Sequence, residues 1–245
     1  MHCRHLASHS RRFLALLVTA LAPHAGAVDW NGLGADTLWS TPGNWVGGVV
    51  PLSANTTLVT FGATGPTTNP FADALWTINR LDIVGGSGFT LLGATLTFDG
   101  ASPQLNAGPA SHLIQNALVL SSTLALSNAS DLLIQGGTSG PGGLTKSGAG
   151  RLSIIAPGFG ALHGGTTTIV AGTVSIDAGS LPGPVVNDGI LELAPSGGGM
   201  VLAQAMSGTG TLRALSGSVT SGGPPFTHTG ATETTLSALS GQFLG

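Results

Sequence analysis

The stretch Gly142–Gly179, GGLTKSGAGRLSIIAPGFGALHGGTTTIVAGTVSIDAG, decides the fold. It reads as glycine turn, short strand, glycine turn, short strand. Leu152 and Ile154 alternate with Arg151 and Ser153, and Val174 and Ile176 alternate with Thr173 and Ser175. Period-2 patterning between small turn residues marks half-buried strands, and nothing here has the 3.6 spacing of an amphipathic helix. The same alternation recurs on both sides, at Leu96/Phe98, at Leu118, Leu120, Leu124 and Leu126, at Leu191/Leu193 and at Leu212/Ala214. The first members Leu96, Leu124, Leu152, Val174, Leu191 and Leu212 lie 28, 28, 22, 17 and 21 residues apart. Spacing near twenty fits one coil of a parallel β-helix per repeat, with the long gaps holding a further strand such as Asp131–Gln135.

One such coil buries no complete core by itself. Stacked coils align their inward Leu, Val and Ile, and backbone hydrogen bonds join neighbours at about 4.8 Å. Thr, Ser and Asn occupy the outward positions, and glycines permit tight corners. Residues 75–245 then make about eight coils, a body about 40 Å long. An antiparallel sandwich is the competing all-β architecture. Two-residue hairpin turns weigh little in its favour, since only Asp99-Gly100 and Asp188-Gly189 qualify.

Composition excludes several classes. Disorder needs low hydrophobicity and high charge, whereas 42% of residues are hydrophobic and 7% charged. Residues 1–27 read as an export signal: Arg4, Arg11 and Arg12, then the apolar run Phe13–Ala22, then Ala25-Gly26-Ala27 before the expected cut. The run is too short for a transmembrane helix, and no other run approaches that length. Cys3 is the only cysteine and lies in this leader, so the mature chain has no thiol chemistry and no lipid-anchor cysteine. After residue 27 only Arg80, Lys146, Arg151 and Arg213 oppose ten carboxylates, which argues against nucleic acid.

Residues 28–74 form a Trp-rich segment and loop, with Trp30, Trp39 and Trp45 close together. Two readings apply. The cluster is a carbohydrate-stacking platform, or it is a hydrophobic plug closing the open end of a solenoid. We read it as the cap, because a solenoid end exposes unpaired strand edges and apolar core. Leu75–Val84 is expected to be the first strand of the body.

Glycoside hydrolysis needs two facing carboxylates. The body offers Asp131, Asp177, Asp188, Glu192 and Glu233, of which Asp177 and Glu192 are the best placed to meet on adjacent coils. The plainer reading makes them solvated outward acids. His112, His163 and His228 lack metal-site spacing and read as surface or turn residues. No nucleophile elbow or phosphate loop appears, and no cofactor or metal is expected. Asn55-Thr56-Thr57 and Asn128-Ala129-Ser130 match the glycosylation sequon.

The opening stretch resembles the autotransporter-associated β-strand repeat, or passenger-associated transport repeat, of bacterial exported proteins. Gly142, Gly143, Leu144, Lys146, Gly148, Gly150, Leu152 and Ile154 match its first half. Gly164, Gly165, Thr166, Ile169, Gly172, Thr173 and Val174 match its second. The Asn-x-Tyr of the middle is missing, with Phe159 and Leu162 in its place. A weaker copy begins at Gly208-Thr209-Gly210-Thr211-Leu212 and continues through Phe226, Gly230 and Thr232. Residues 28–62 also look like the N-terminal segment of such repeat proteins. The resemblance implies a single-stranded, right-handed parallel β-helix and export to the surface, the medium or the periplasm of a Gram-negative bacterium. It implies a role as passenger-like stalk or adhesin fragment, with no catalytic residues to carry over. Its Lys146 is expected to cover a coil edge or pair with an acid on the next coil. Up to Gly245 the sequence shows no alternating strands of a membrane barrel, so the expectation is a truncated passenger or a small exported protein. Expected partners are the export machinery, through the signal, and a surface glycan or neighbouring β-helix. The alternative is a carbohydrate-active β-helix, as polysaccharide lyase, hydrolase or glycan-binding module.

Overall fold

A computed structural model describes residues 26–62, 66–222, 226–234 and 239–240. The strands named below all pair in parallel and stack into a β-solenoid of about eight turns. The winding is consistent with the right hand that parallel crossovers take. Each full coil contributes a strand to each of three faces. The first face runs from Val28–Trp30 through Leu58–Phe61, Arg80–Ile83, Gln104–Ala107, Leu124–Asn128, Leu144–Ser147, Thr167–Ile169 and Val185–Asn187 to Met206–Ser207. The second runs from Phe71–Ala72 to Thr232–Thr234 and carries Arg151–Ile155, Thr173–Asp177, Ile190–Leu193 and Thr211–Ala214. The third consists of two four-stranded sheets, one ending at Thr138–Ser139 and one starting at Ser180–Leu181.

Inward residues line up as ladders. On the first face Val59, Leu81, Leu105, Leu126, Lys146, Ile169 and Asn187 follow one another in register. Their numbers advance by 22, 24, 21, 20, 23 and 18. On the second, Leu91, Ile114, Ile134, Ile154, Ile176, Leu193 and Ala214 do the same. All seven of the second-face ladder are buried. At about 25 cal/mol per Å² of apolar surface, these stacked aliphatics are the main stabilising term.

The sequence intervals of 28 are explained by the faces. Leu96 lies on the third face, Leu124 on the first and Leu152 on the second, so each 28-residue step is one coil plus one corner. From Leu152 onward the spacing follows a single ladder. Leu75–Val84 is likewise two strands, Trp76–Ile78 and Arg80–Ile83. The chain turns at Asn79, whose Nδ2 donates to the Asp99 carbonyl at 3.0 Å. The turn shifts the alternation, so Trp76, Ile78, Leu81 and Ile83 all point inward.

The N-terminal segment closes the solenoid in two ways. Trp30, Trp39 and Trp45, each 1% exposed, stack with Phe61, Trp76 and, beyond Phe61, Phe89, at centroid distances of 5.1–6.2 Å. Backbone from the same segment also covers the three free strand edges. Asn44–Trp45 lies against Val28–Trp30, Thr37–Trp39 against Phe71, and Ala54 against Thr77. Buried Asn44 ties the loop, donating to Asp36 and the Leu38 carbonyl and accepting from Gly34 N–H. An unpaired edge otherwise templates aggregation.

Candidate functional site

The repeat residues build two corners and the strands between them. Gly148 and Gly172 have φ of +79° and +73°, a conformation L side chains rarely adopt. A Cβ on Gly172 would stand 2.4 Å from the Gly148 carbonyl oxygen, so the corner is closed to any larger residue. Gly142 and Gly165 pack backbone on backbone at the opposite corner, where a Cβ on Gly165 would lie 2.4 Å from the Gly142 carbonyl carbon. Gly143 and Thr166 stand beside these, the Thr166 carbonyl accepting from Leu144 N–H at 2.9 Å. Gly150 packs against the Ser130 carbonyl and Gly164 N–H donates to the Gly140 carbonyl. Leu144, Leu152, Ile154, Ile169 and Val174 fill the core, while Thr173 begins the next second-face strand.

Lys146 departs from its expected place. It occupies an inward ladder position between Leu126 and Ile169 and is fully buried. Among the described residues it pairs with no acid. Its Nζ donates to the carbonyls of Ser147 at 2.6 Å, Gly148 at 2.8 Å and Ala171 at 3.2 Å. The side chain thus caps the corner carbonyls of two coils from inside. Burial lowers its pKa to about 8.

Two of the histidines are buried rather than superficial. His163 is held between Thr138 Oγ1, 2.9 Å from Nδ1, and Thr167 Oγ1, 3.0 Å from Nε2. Burial lowers its pKa to about 4. His112 takes an inward position ahead of Leu132 and accepts from the Phe89 N–H through Nδ1 at 3.1 Å. Burial also lowers its pKa. His228 is only partly buried, and burial is again the first cause of a lowered pKa. The three belong to different coils. Among the described residues, no group of three or more His, Cys, Asp or Glu could hold a metal ion.

Asp177 and Glu192 do lie on adjacent coils, but each has its own partners. Glu192 registers with Ser175, two residues before Asp177. Its carboxylate is buried between two guanidiniums, with Oε2 against Arg151 and Oε1 3.5 Å from Arg213 Nη1. The Arg151 contact is an ion pair, not an aligned hydrogen bond. Arg213 Nε continues the line to Glu233 at 2.8 Å. These contacts raise the Arg213 pKa, first through the hydrogen bond to Glu233. Glu192 is therefore a rung of a charge ladder, not a solvated acid. Asp177 accepts from the N–H and Oγ of Ser196 at 2.8 and 3.0 Å. Asp188 holds Thr209 and Asp82 holds Asn106 in the same cross-turn manner, while Arg80 pairs with Asp82 within one strand.

Among the described residues the concavities include a shallow one of about 410 Å³ beside Ile83, Asn106, Ser127 and Gly148, and two more. A shallow groove of about 510 Å³ crosses the outer side of the second face over four coils. Its outward residues include Thr90, Leu113, Leu133 and Ser153, flanked by Ser111, Asp131 and Arg151. Asp131 is exposed and has no side-chain partner among the described residues. This groove is not legible in the sequence, because it forms from residues about twenty apart that meet only through coil register. An apolar cleft of about 420 Å³ lies in the cap, with Val46, Val49 and Leu52 exposed along it. The tryptophans offer no face to either, being buried. Of the two sequons, Asn55 is exposed, whereas Asn128 is buried and donates to the carbonyls of Ser130 and Arg151. No helix among the described residues is long and apolar enough to cross a membrane. No family model, curated protein or solved structure matches the chain.

Proposed function

We propose that this chain is a non-enzymatic exported β-helix, a passenger-like spacer, stalk or adhesin fragment secreted or held at the cell surface or periplasm. One observation carries the non-enzymatic part. Asp177 and Glu192, the two acids best placed for catalysis, are each committed to cross-coil bonds. A catalytic pair needs its carboxylates turned toward one another or toward a shared ligand. The repeat resemblance at 142–174 and the leader-like residues 1–27 support the export reading. The test has two arms. Mass analysis of the processed protein should find it starting at Val28 outside the cytoplasm. Incubation with a polysaccharide panel should release no fragments. Depolymerisation that Asp177→Asn or Glu192→Gln abolishes in a folded protein sinks the proposal.

A second reading, glycan binding without catalysis, is favoured by the second-face groove. Half-buried Leu113 and Leu133 lie beside hydroxyls and the partnerless Asp131 carboxylate, a mixed surface suited to a sugar chain. Binding on the same panel, lost in Asp131→Ala and kept in Trp39→Phe, supports it. Equal binding by Asp131→Ala removes the groove from consideration.

A further inference from the structure

The third face is interrupted once, between Thr138–Ser139 and Ser180–Leu181. The coil that should supply a strand there carries the irregular segment 156–166 instead, with one 3-10 turn at Pro157–Phe159. A few backbone bonds hold it. Leu162 N–H donates to Ser180, Gly164 N–H to Gly140 and Gly165 N–H to Gly142, while the Gly160 carbonyl accepts from Gly179 N–H. The buried side-chain tie is His163, bridging Thr138 on one neighbouring coil and Thr167 at the start of the next strand.

We propose that segment 156–166 is an acid-released strap, locked onto the solenoid by neutral His163 and let go when that imidazole takes a proton. A neutral imidazole donates from one nitrogen and accepts at the other, which the two threonine hydroxyls satisfy at once. An imidazolium must sit in the same dry site without a counter-ion. The groups facing it are Thr138 from the third face and Thr167 from the first, and neither titrates in this range. Burial alone accounts for the lowered pKa, so no charged side chain offsets it. Lys146, on the neighbouring strand Leu144–Ser147, turns its Nζ onto backbone carbonyls instead.

The sign follows from linkage. Closed His163 has a pKa of about 4, and in the open segment it returns toward 6.5. Above pH 6.5 both forms are neutral and the strap keeps its full stability. As pH falls from 6.5 toward 4, the open form binds the proton first, so the opening equilibrium rises about tenfold per pH unit. The full range amounts to about 300-fold. Below pH 4 both forms are protonated and the effect levels off.

The experiment is hydrogen exchange on the intact chain from pH 4 to 7, expressed as protection factors against the intrinsic rate at each pH. Protection at Leu162, Gly164 and Gly165 should fall about tenfold per unit below pH 6.5, while Ile154 and Ile176 stay protected. His163→Gln, which stays neutral and still hydrogen-bonds, should make the strap amides independent of pH. The ring titration of His163 by NMR in the native chain gives a second readout that needs no variant, with a pKa well below 6 expected. Three results overturn the proposal: strap protection that ignores pH, a pH dependence that survives in His163→Gln, or loss of protection in parallel along the whole solenoid.

Discussion

Lys146 is the sole lysine of the chain, and tyrosine is absent. It is therefore the one lysine or tyrosine side chain that titrates in the alkaline range. In the folded chain its pKa is about 8 against 10.5 for the free side chain, because its site excludes water. Below pH 8 both folded and unfolded forms carry the proton, and the burial penalty is fully present. Between pH 8 and 10.5 the folded form has lost it while the unfolded form has not, so stability rises with pH. The gain over that window is about 3 kcal/mol, from 2.5 pKa units at 1.36 kcal/mol each. Lys146→Met removes both the charge and its three carbonyl bonds. Those bonds contribute about 1.5 kcal/mol or more each, which outweighs the relief of desolvation, so the variant should be about 1–3 kcal/mol less stable at pH 7. Its alkaline gain should vanish. Urea unfolding at pH 7, 8, 9, 10 and 11 for both proteins measures this directly. Acylation at Lys146, scored by peptide mapping apart from the α-amine, gives a parallel readout, as a fully buried Nζ reacts only when the coil opens. Wild-type stability that stays level or falls from pH 8 to 10.5 would refute the reasoning, since it would mean the ammonium is not held in a dry site.

Three further outcomes are expected. Ile154→Ala removes a buried rung of the second-face ladder and should cost about 2–5 kcal/mol, whereas Ser153→Ala on the outer side should stay within about 0.5 kcal/mol; paired urea melts compare them. Gly172→Ala meets both a positive φ and a carbonyl 2.4 Å away, so it should destabilise by several kcal/mol. Gly47→Ala, at φ +76° with open space around it, should cost only about 1 kcal/mol. Trp45→Phe deletes the 2.7 Å bond from Nε1 to the Trp39 carbonyl and part of the aromatic plug; it should cost about 2–3 kcal/mol, with amide protection lost first at Val28–Trp30 and Leu58–Phe61.

The alternation of Leu152/Ile154 and Val174/Ile176 was enough to read a parallel solenoid, because period 2 and glycine corners are local properties of the chain. Register is not local. The pairing of Glu192 with Ser175 and the reach of Arg151 across a whole coil to Glu192 depend on coil lengths, which vary from 18 to 24 residues on the first-face ladder. The groove around Asp131 was invisible for the same reason. Polar residues misled in another way. Lysine and histidine are ordinarily exposed, and nothing in the sequence distinguishes an inward Lys146 or His163 from an outward one until the corner beside it is fixed. Lys146 does sit two residues after inward Leu144, an alternation that pointed inside, but the rule that charges face water outweighed it.

The position of these polar residues bears on where the solenoid yields. In a stack of coils, stability is close to a sum of nearest-neighbour terms, so opening starts at the weakest interface. Thr138, Lys146, His163 and Thr167 are all buried, and all fall within the two coils around the break in the third face. Those coils lose a strand's worth of ladder bonds and replace aliphatic rungs with groups that need hydrogen bonds to remain inside. The N-terminal end is the opposite case, with its core plugged by three tryptophans and its edges covered by backbone. The stretch 142–179, whose glycines and alternation announce the fold most clearly, thus also places a buried lysine, histidine and threonine among its aliphatic rungs. Fraying from the capped end and opening at 156–166 are separable by exchange, and the protection pattern should rank the second region below the first at every pH.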